Sequence, residues 1–195
     1  MTQLADERQA LLDLMLARAF KVGEFILSSG RSSPYYFDGR LVTLDPKGSG
    51  WVGRAMLEFA RQDRVARIGG PTLGADPMVA AVALCSALDG GPEVAGFIVR
   101  KQVKEHGAGG WCAGPEPAPG DRVALVDDAL TSGGSLLQAA ERVKESGAQI
   151  VAMYTLLDRE EGGRERLEAA GFRVRAVFRR RELLGPDGRA LAPSA

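Results

Sequence analysis

Cysteine is scarce in this chain of 195 residues: there are two, Cys85 and Cys112. Cys85 lies in an alanine- and valine-rich run and Cys112 in a glycine-rich loop, so they form no metal-spaced pair, and both suit a reducing cytoplasm. An excess of charge of either sign is also missing. Lysine plus arginine number 25 and aspartate plus glutamate 25, which removes the usual electrostatic reason to expect nucleic acid or a membrane surface as partner. No apolar run approaches the length of a membrane span. The opening stretch, MTQLADERQALLDLML, is charged early and amphipathic, without the basic start and apolar block of a signal peptide. Internal repeats and low-complexity linkers are absent as well. What remains is 45% apolar and long enough for a substantial core. One domain is expected over 1–195, with an N-terminal helix and hood over 1–45, a core over 46–185 and a loosely held tail over 186–195.

Periodicity supplies the elements. Leu4 to Phe20 carries one apolar face at helical spacing. Phe25-Ile26-Leu27 and Tyr35-Tyr36-Phe37 flank a Ser/Gly/Arg turn and predict a hairpin. From residue 65 onward, strand and helix alternate. Strands are expected at 65–68, 94–99, 123–126, 150–157 and 172–178, with helices at 50–62, 78–88, 136–146 and 164–170. That alternation predicts an α/β fold, a central parallel sheet flanked by helices. The N-terminal helix and hairpin stand outside it, as a small hood over the sheet's C-terminal edge.

The chemistry concentrates between Arg122 and Ser135, RVALVDDALTSGGS. An apolar run, Val123 to Val126, suits a buried parallel strand. A carboxylate pair, Asp127-Asp128, follows, and then a small hydroxyl- and glycine-rich turn feeding a helix. Such a turn offers unpaired backbone N–H groups and a helix dipole to an anion, at the sheet edge where open α/β folds bind ligands. An anion cradle alone has no use for two adjacent carboxylates. Their presence points to a ligand that also offers hydroxyls, or to a divalent cation. Residues 101–118 form a long loop that opens on Arg100-Lys101-Gln102-Val103-Lys104-Glu105-His106 and contains the only histidine. A loop of that length is a candidate lid, and its cations suit a departing pyrophosphate. Gly70 to Pro77 is a further strand-to-helix loop whose amides suit a second anionic group. Arg159 ends a strand facing the same crevice and can grip a carboxylate. Aromatic residues of the hairpin beside Arg31 can stack on a planar ring.

Together these segments resemble the type I phosphoribosyltransferases, and within them the orotate enzymes. VDDALTSGGS is similar to the phosphoribosyl-pyrophosphate (PRPP) motif of the wider group, while FILSSGRSSPYYFDGR, GPTLGADP, VRKQVKEHG and LLDRE carry the narrower likeness, over roughly residues 10 to 180. The resemblance implies Mg-dependent transfer of a 5-phosphoribosyl group from PRPP to orotate, in UMP synthesis. It gives Asp127 and Asp128 the ribose hydroxyls and Ala129, Leu130, Thr131, Ser132, Gly133, Gly134 and Ser135 the 5-phosphate. Arg100, Lys101, Lys104 and His106 would contact PRPP from the lid, and Lys104, His106, Asp127 and Asp128 form the expected catalytic set. Thr131, Arg159, Tyr36 and Phe37 would bind orotate, Arg159 taking its carboxylate. No protein metal ligand is assigned, since Mg2+ would be held mainly by PRPP. A cytoplasmic homodimer with a lid shared between subunits is implied. Two family lysines are replaced here, by Ser28 and Gly74, and neither residue inherits the lysine's role.

Three other readings stay open on the residues alone. A purine phosphoribosyltransferase would leave Arg159 without an anionic partner. A PRPP-sensing regulator would be expected to carry an extra nucleic-acid-binding segment or basic surface. A phosphoacceptor domain would leave the glycine turn unexplained.

Overall fold

The computed structural model describes residues 2–26, 32–101, 110–185 and 189–191. Helix α1 (Thr2–Leu14) continues through a five-residue π-helical turn, Met15–Ala19, into a hairpin of β1 (Phe20–Ile26) and β2 (Ser32–Phe37). The hairpin is antiparallel, with Phe20 opposite Phe37 and Ile26 opposite Ser32; its tip lies outside the described residues. A short α2 (Arg40–Thr43) leads to α3 (Pro46–Gln62). This last helix begins four residues earlier than its periodicity predicts. Asp45 caps it, accepting from the N–H groups of Lys47 and Gly48, and Pro46 occupies the first turn, where no N–H is required.

The remainder is the expected alternation: β3 (Arg67–Pro71), α4 (Asp76–Leu88), β4 (Ala95–Val99), β5 (Cys112–Ala113), β6 (Arg122–Leu130), α5 (Gly134–Glu145), β7 (Gln149–Asp158), α6 (Gly163–Ala169) and β8 (Val174–Arg179). The six-stranded sheet has the order β5-β4-β3-β6-β7-β8. It is parallel except for β5, which pairs antiparallel with β4 at one edge. That edge strand falls within the stretch expected to be irregular, because two residues are too few to carry a period.

Each face of the sheet has its own core. On β6, Ala124 and Val126 enter one cluster with Val52, Met56, Met78 and Val82, under α3 and α4. Val123 and Leu125 enter the other with Leu136, Ala140 and Val143 of α5 and Leu167 of α6. The alternation is the period of a strand buried on both sides. The hairpin stacks Phe20 on Tyr35, with ring centroids 5.0 Å apart, and lies against the C-terminal end of the sheet through side chains described below.

Candidate active site

The C-terminal ends of β3, β4 and β6 open onto a cleft of about 710 Å³, lined by Thr72, Gly74, Arg100, Lys101, Asp127, Asp128 and Ser135 among others. Strand β6 does not stop at the charges, as its apolar run predicts. Its ladder with β7 continues through Asp127 opposite Thr155 to Leu130 opposite Asp158. Both carboxylates therefore sit on rigid strand rather than on a turn. Asp127 Oδ1 accepts the backbone N–H of Asp128 at 3.1 Å.

Burial dominates the electrostatics of this pair. It pushes the Asp127 carboxyl up to about 8, helped by the charge of Asp128 and opposed by the Asp128 N–H and by Lys101. Burial raises Asp128 too, with Asp38 adding to the shift. Two adjacent, poorly solvated carboxylates have a use for hydroxyl donors or for a nearby cation. The donor set thus fits sugar hydroxyls, with a hard divalent ion close by.

Asp128 is held between two backbones that have no room for side chains. A Cβ on Gly39 would lie 2.7 Å from Asp128 Oδ2, and one on Gly74 would lie 2.5 Å from Asp128 Oδ1 and 3.0 Å from Asp127 Oδ1. Any side chain at Gly74 would therefore have to displace these carboxylates. The loop it belongs to is anchored by the Thr72 N–H on the Val99 carbonyl (3.2 Å) and by the Thr72 hydroxyl on Asp76 (2.8 Å).

Beyond Leu130 the chain turns through Thr131 and Ser132 to Gly133, which adopts a left-handed φ of 72° and opens α5 with no side-chain cap. The first N–H groups of this helix are left as donors for an anion. Arg166, which the sequence analysis does not single out, donates to the Ser132 carbonyl at 3.3 Å and so stands at the rim of this turn.

Arg159 follows β7, and its N–H is tied to the Leu130 carbonyl at 3.0 Å. Its side chain is only 7% exposed. Nε donates to the Tyr35 hydroxyl at 2.9 Å and to Glu161 Oε1 at 3.0 Å, and Nη2 donates to Ser33 Oγ at 3.3 Å. The guanidinium carbon lies 4.6 Å from the centre of the Tyr35 ring. The hairpin residues expected to bind orotate are divided by the strand period: Phe37 is buried in the core, whereas Tyr36 is 39% exposed on the opposite face, near Phe25. The aromatic residue that meets Arg159 is Tyr35, which the strand alternation of β2 buries together with Ser33 and Phe37.

Arg100 and Lys101 lie at the foot of the expected lid. The Arg100 N–H donates to the Trp111 carbonyl at 2.9 Å, so the two ends of the segment meet at the β4–β5 edge. Lys104 and His106, like Ser28 and Arg31, lie outside the described residues.

Comparison with known proteins agrees with this geometry. A phosphoribosyl transferase domain model matches residues 76–173. An orotate phosphoribosyltransferase of Synechocystis sp. is 44% identical over 175 residues, covering 90% of this chain and 87% of that one. The chain belongs to the orotate phosphoribosyltransferase family. The family's protein from Aquifex aeolicus is 40% identical, covering 91% of this chain and 98% of its own. Among solved structures, the family's enzyme from Mycobacterium tuberculosis in complex with PRPP superposes with a TM-score of 0.73 at 34% identity, covering 89% and 96% of the two chains. Membership brings the expected fold: an α/β domain with a mostly parallel sheet flanked by helices, and a pentosyltransferase activity.

Proposed function

We propose that this enzyme transfers the 5-phosphoribosyl group of PRPP to N1 of orotate, releasing pyrophosphate and forming orotidine 5-phosphate in UMP synthesis. The observation that carries the proposal is the carboxylate pair at the end of β6, set directly before an uncapped helix N-terminus. That combination suits a phosphorylated sugar with free hydroxyls, and the neighbouring Arg159 suits a base that bears a carboxylate. Asp127 and Asp128 hold the ribose hydroxyls, residues Ala129 to Ser135 take the 5-phosphate, and Thr131, Tyr36, Phe37 and Arg159 form the orotate side of the site. Magnesium, when bound with PRPP, supplies charge neutralisation for the pyrophosphate. The protein's own share is positioning and stabilisation of developing charge, so no strong side-chain base is needed. Arg100, Lys101, Lys104 and His106 meet the pyrophosphate. The 101–118 lid excludes water that would hydrolyse PRPP, and in a homodimer it serves the neighbouring site. The two unpaired cysteines suit a cytoplasmic setting.

The test is consumption of orotate in the presence of PRPP and magnesium, with adenine, guanine, hypoxanthine and uracil as competing bases. Orotate is expected to be consumed in preference to all four; use of a purine in its place would overturn the specificity and leave the general transfer standing. Lys104→Ala is expected to lower turnover roughly 100-fold while orotate binding changes little. Mixing it with Asp127→Asn subunits should restore part of the activity if lids are exchanged, and no recovery would count against a shared lid.

A further inference from the structure

Arg159 is an unusual residue for a substrate clamp, because it is almost wholly buried and already has a carboxylate partner. The arrangement of its donors accounts for this. Nε is shared between the Tyr35 hydroxyl and Glu161, and Nη2 reaches Ser33. Among the described residues Nη1 has no hydrogen-bond partner. The Tyr35 hydroxyl in turn donates to Glu161 Oε1 at 2.9 Å, closing a triangle on the Nε side of the guanidinium. The Tyr35 ring lies against the guanidinium carbon and is itself stacked on Phe20. One edge of the arginine is thus consumed by the protein and its plane is set by a ring, which leaves Nη1 and the second N–H of Nη2 for a carboxylate. Tyr35 is buried, and burial pushes its hydroxyl up to about 12, so it keeps its proton and can serve as donor and acceptor together.

We propose that Tyr35 is the positioning residue for base specificity: with Glu161 it locks the Nε edge of Arg159 so that the Nη end meets the carboxylate of a pyrimidine carboxylic acid. The inference rests on the orotate reading above and deepens it. Tyr35 acts through Arg159 and does not itself touch the reacting atoms. Its loss should therefore be felt by the carboxylate-bearing base and not by PRPP.

The test is Tyr35→Phe, which keeps the ring and its stack on Phe20 and removes only the hydroxyl. KM for orotate is expected to rise about tenfold, with kcat and the KM for PRPP within about twofold of wild type. The preference for orotate over uracil should fall by a similar factor, since uracil has no carboxylate to lose. A role confined to fold stability would lower the melting temperature and the active fraction without changing either KM. An unchanged orotate KM, or equal losses for orotate and PRPP, would overturn the inference. If the variant does not fold, Ser33→Ala removes the acceptor of Nη2 and is expected to shift the same two KM values in the same unequal way. Wild-type enzyme that consumes no orotate would sink the functional reading itself, whereas wild-type activity with an unmoved KM in Tyr35→Phe would sink only this inference.

Discussion

Asp127 shows how a residue can serve chemistry at the expense of stability. Its carboxyl in the folded chain holds its proton up to about 8, well above the ordinary carboxylate range. The folded state therefore binds this proton more tightly than the unfolded state. The associated stabilisation is complete below about pH 4 and is lost as pH rises through about 8. Without ligand, wild-type protein should lose stability over that window. Asp127→Asn cannot ionise, so its melting temperature should exceed that of wild type more at about pH 9 than at about pH 5. Its turnover should fall by roughly 100-fold or more; a pH-independent difference in melting temperature would contradict the assignment. Gly74 has the opposite character, since its importance lies in what it lacks. A single methyl there meets both carboxylates. Gly74→Ala is expected to lower kcat/KM for PRPP by roughly tenfold or more, about 1.4 kcal/mol in the transition state, with little change in melting temperature. The sequence marks Gly74 only as one glycine in a Gly/Pro-rich loop; the need for it comes from a strand that is more than fifty residues away in the chain.

Elements with a sustained apolar period were legible before the structure, and those set by caps or by partners were less so. The buried strands and the stripe of α5 followed from composition and spacing. The N-terminus of α3 did not, because apolar spacing starts only at Val52 while the helix starts at Pro46. The signal there was Asp45-Pro46, a capping residue followed by a residue fit for the first turn. Asp45→Ala should lower the melting temperature by a few degrees and leave the kinetics unchanged; a shift in either KM would mean that the cap also governs the site. Strand β6 likewise outruns its apolar period. Charges ended its apolar run at Val126, but the ladder is made by backbone groups that any residue carries, and it runs on to Leu130. Strand β5 exists because β4 offers it an edge, and nothing local announces it.

In the molecule as a whole, the two ends of the sheet do different work. At the N-terminal end, the buried Asp63 ties the end of α3 to β7 and β8. It accepts from the Tyr154 hydroxyl at 2.9 Å, from Arg173 at 2.6 Å and from Arg175 at 3.3 Å. Removing one side of such a buried network leaves unpaired groups, so Asp63→Ala should cost about 3 kcal/mol by denaturant titration. The orotate and PRPP KM values of the folded variant should stay within about twofold of wild type, since the cleft lies at the other end of the parallel strands. An equal effect on catalysis would show that the two ends are coupled. The overall architecture could be read from alternation because each α/β unit repeats the same burial logic. The hood could not be fitted to the site in the same way, because its described residues meet the sheet through side chains such as Tyr35 and through the bare backbone of Gly39.

That last contact bears on how the protein can be divided. The segment that carries the family signature, 76–173, holds both carboxylates, the glycine-rich turn before α5 and Arg159. The two glycines that flank Asp128 and the tyrosine that orients Arg159 all lie before it in the chain. A fragment trimmed to the signature would keep the VDDALTSGGS stretch, and would lose the walls that give it its geometry. Domain grafts and minimised catalysts built on this scaffold should therefore be cut ahead of β1, and an inactive shorter piece would say nothing against the chemistry of the intact chain.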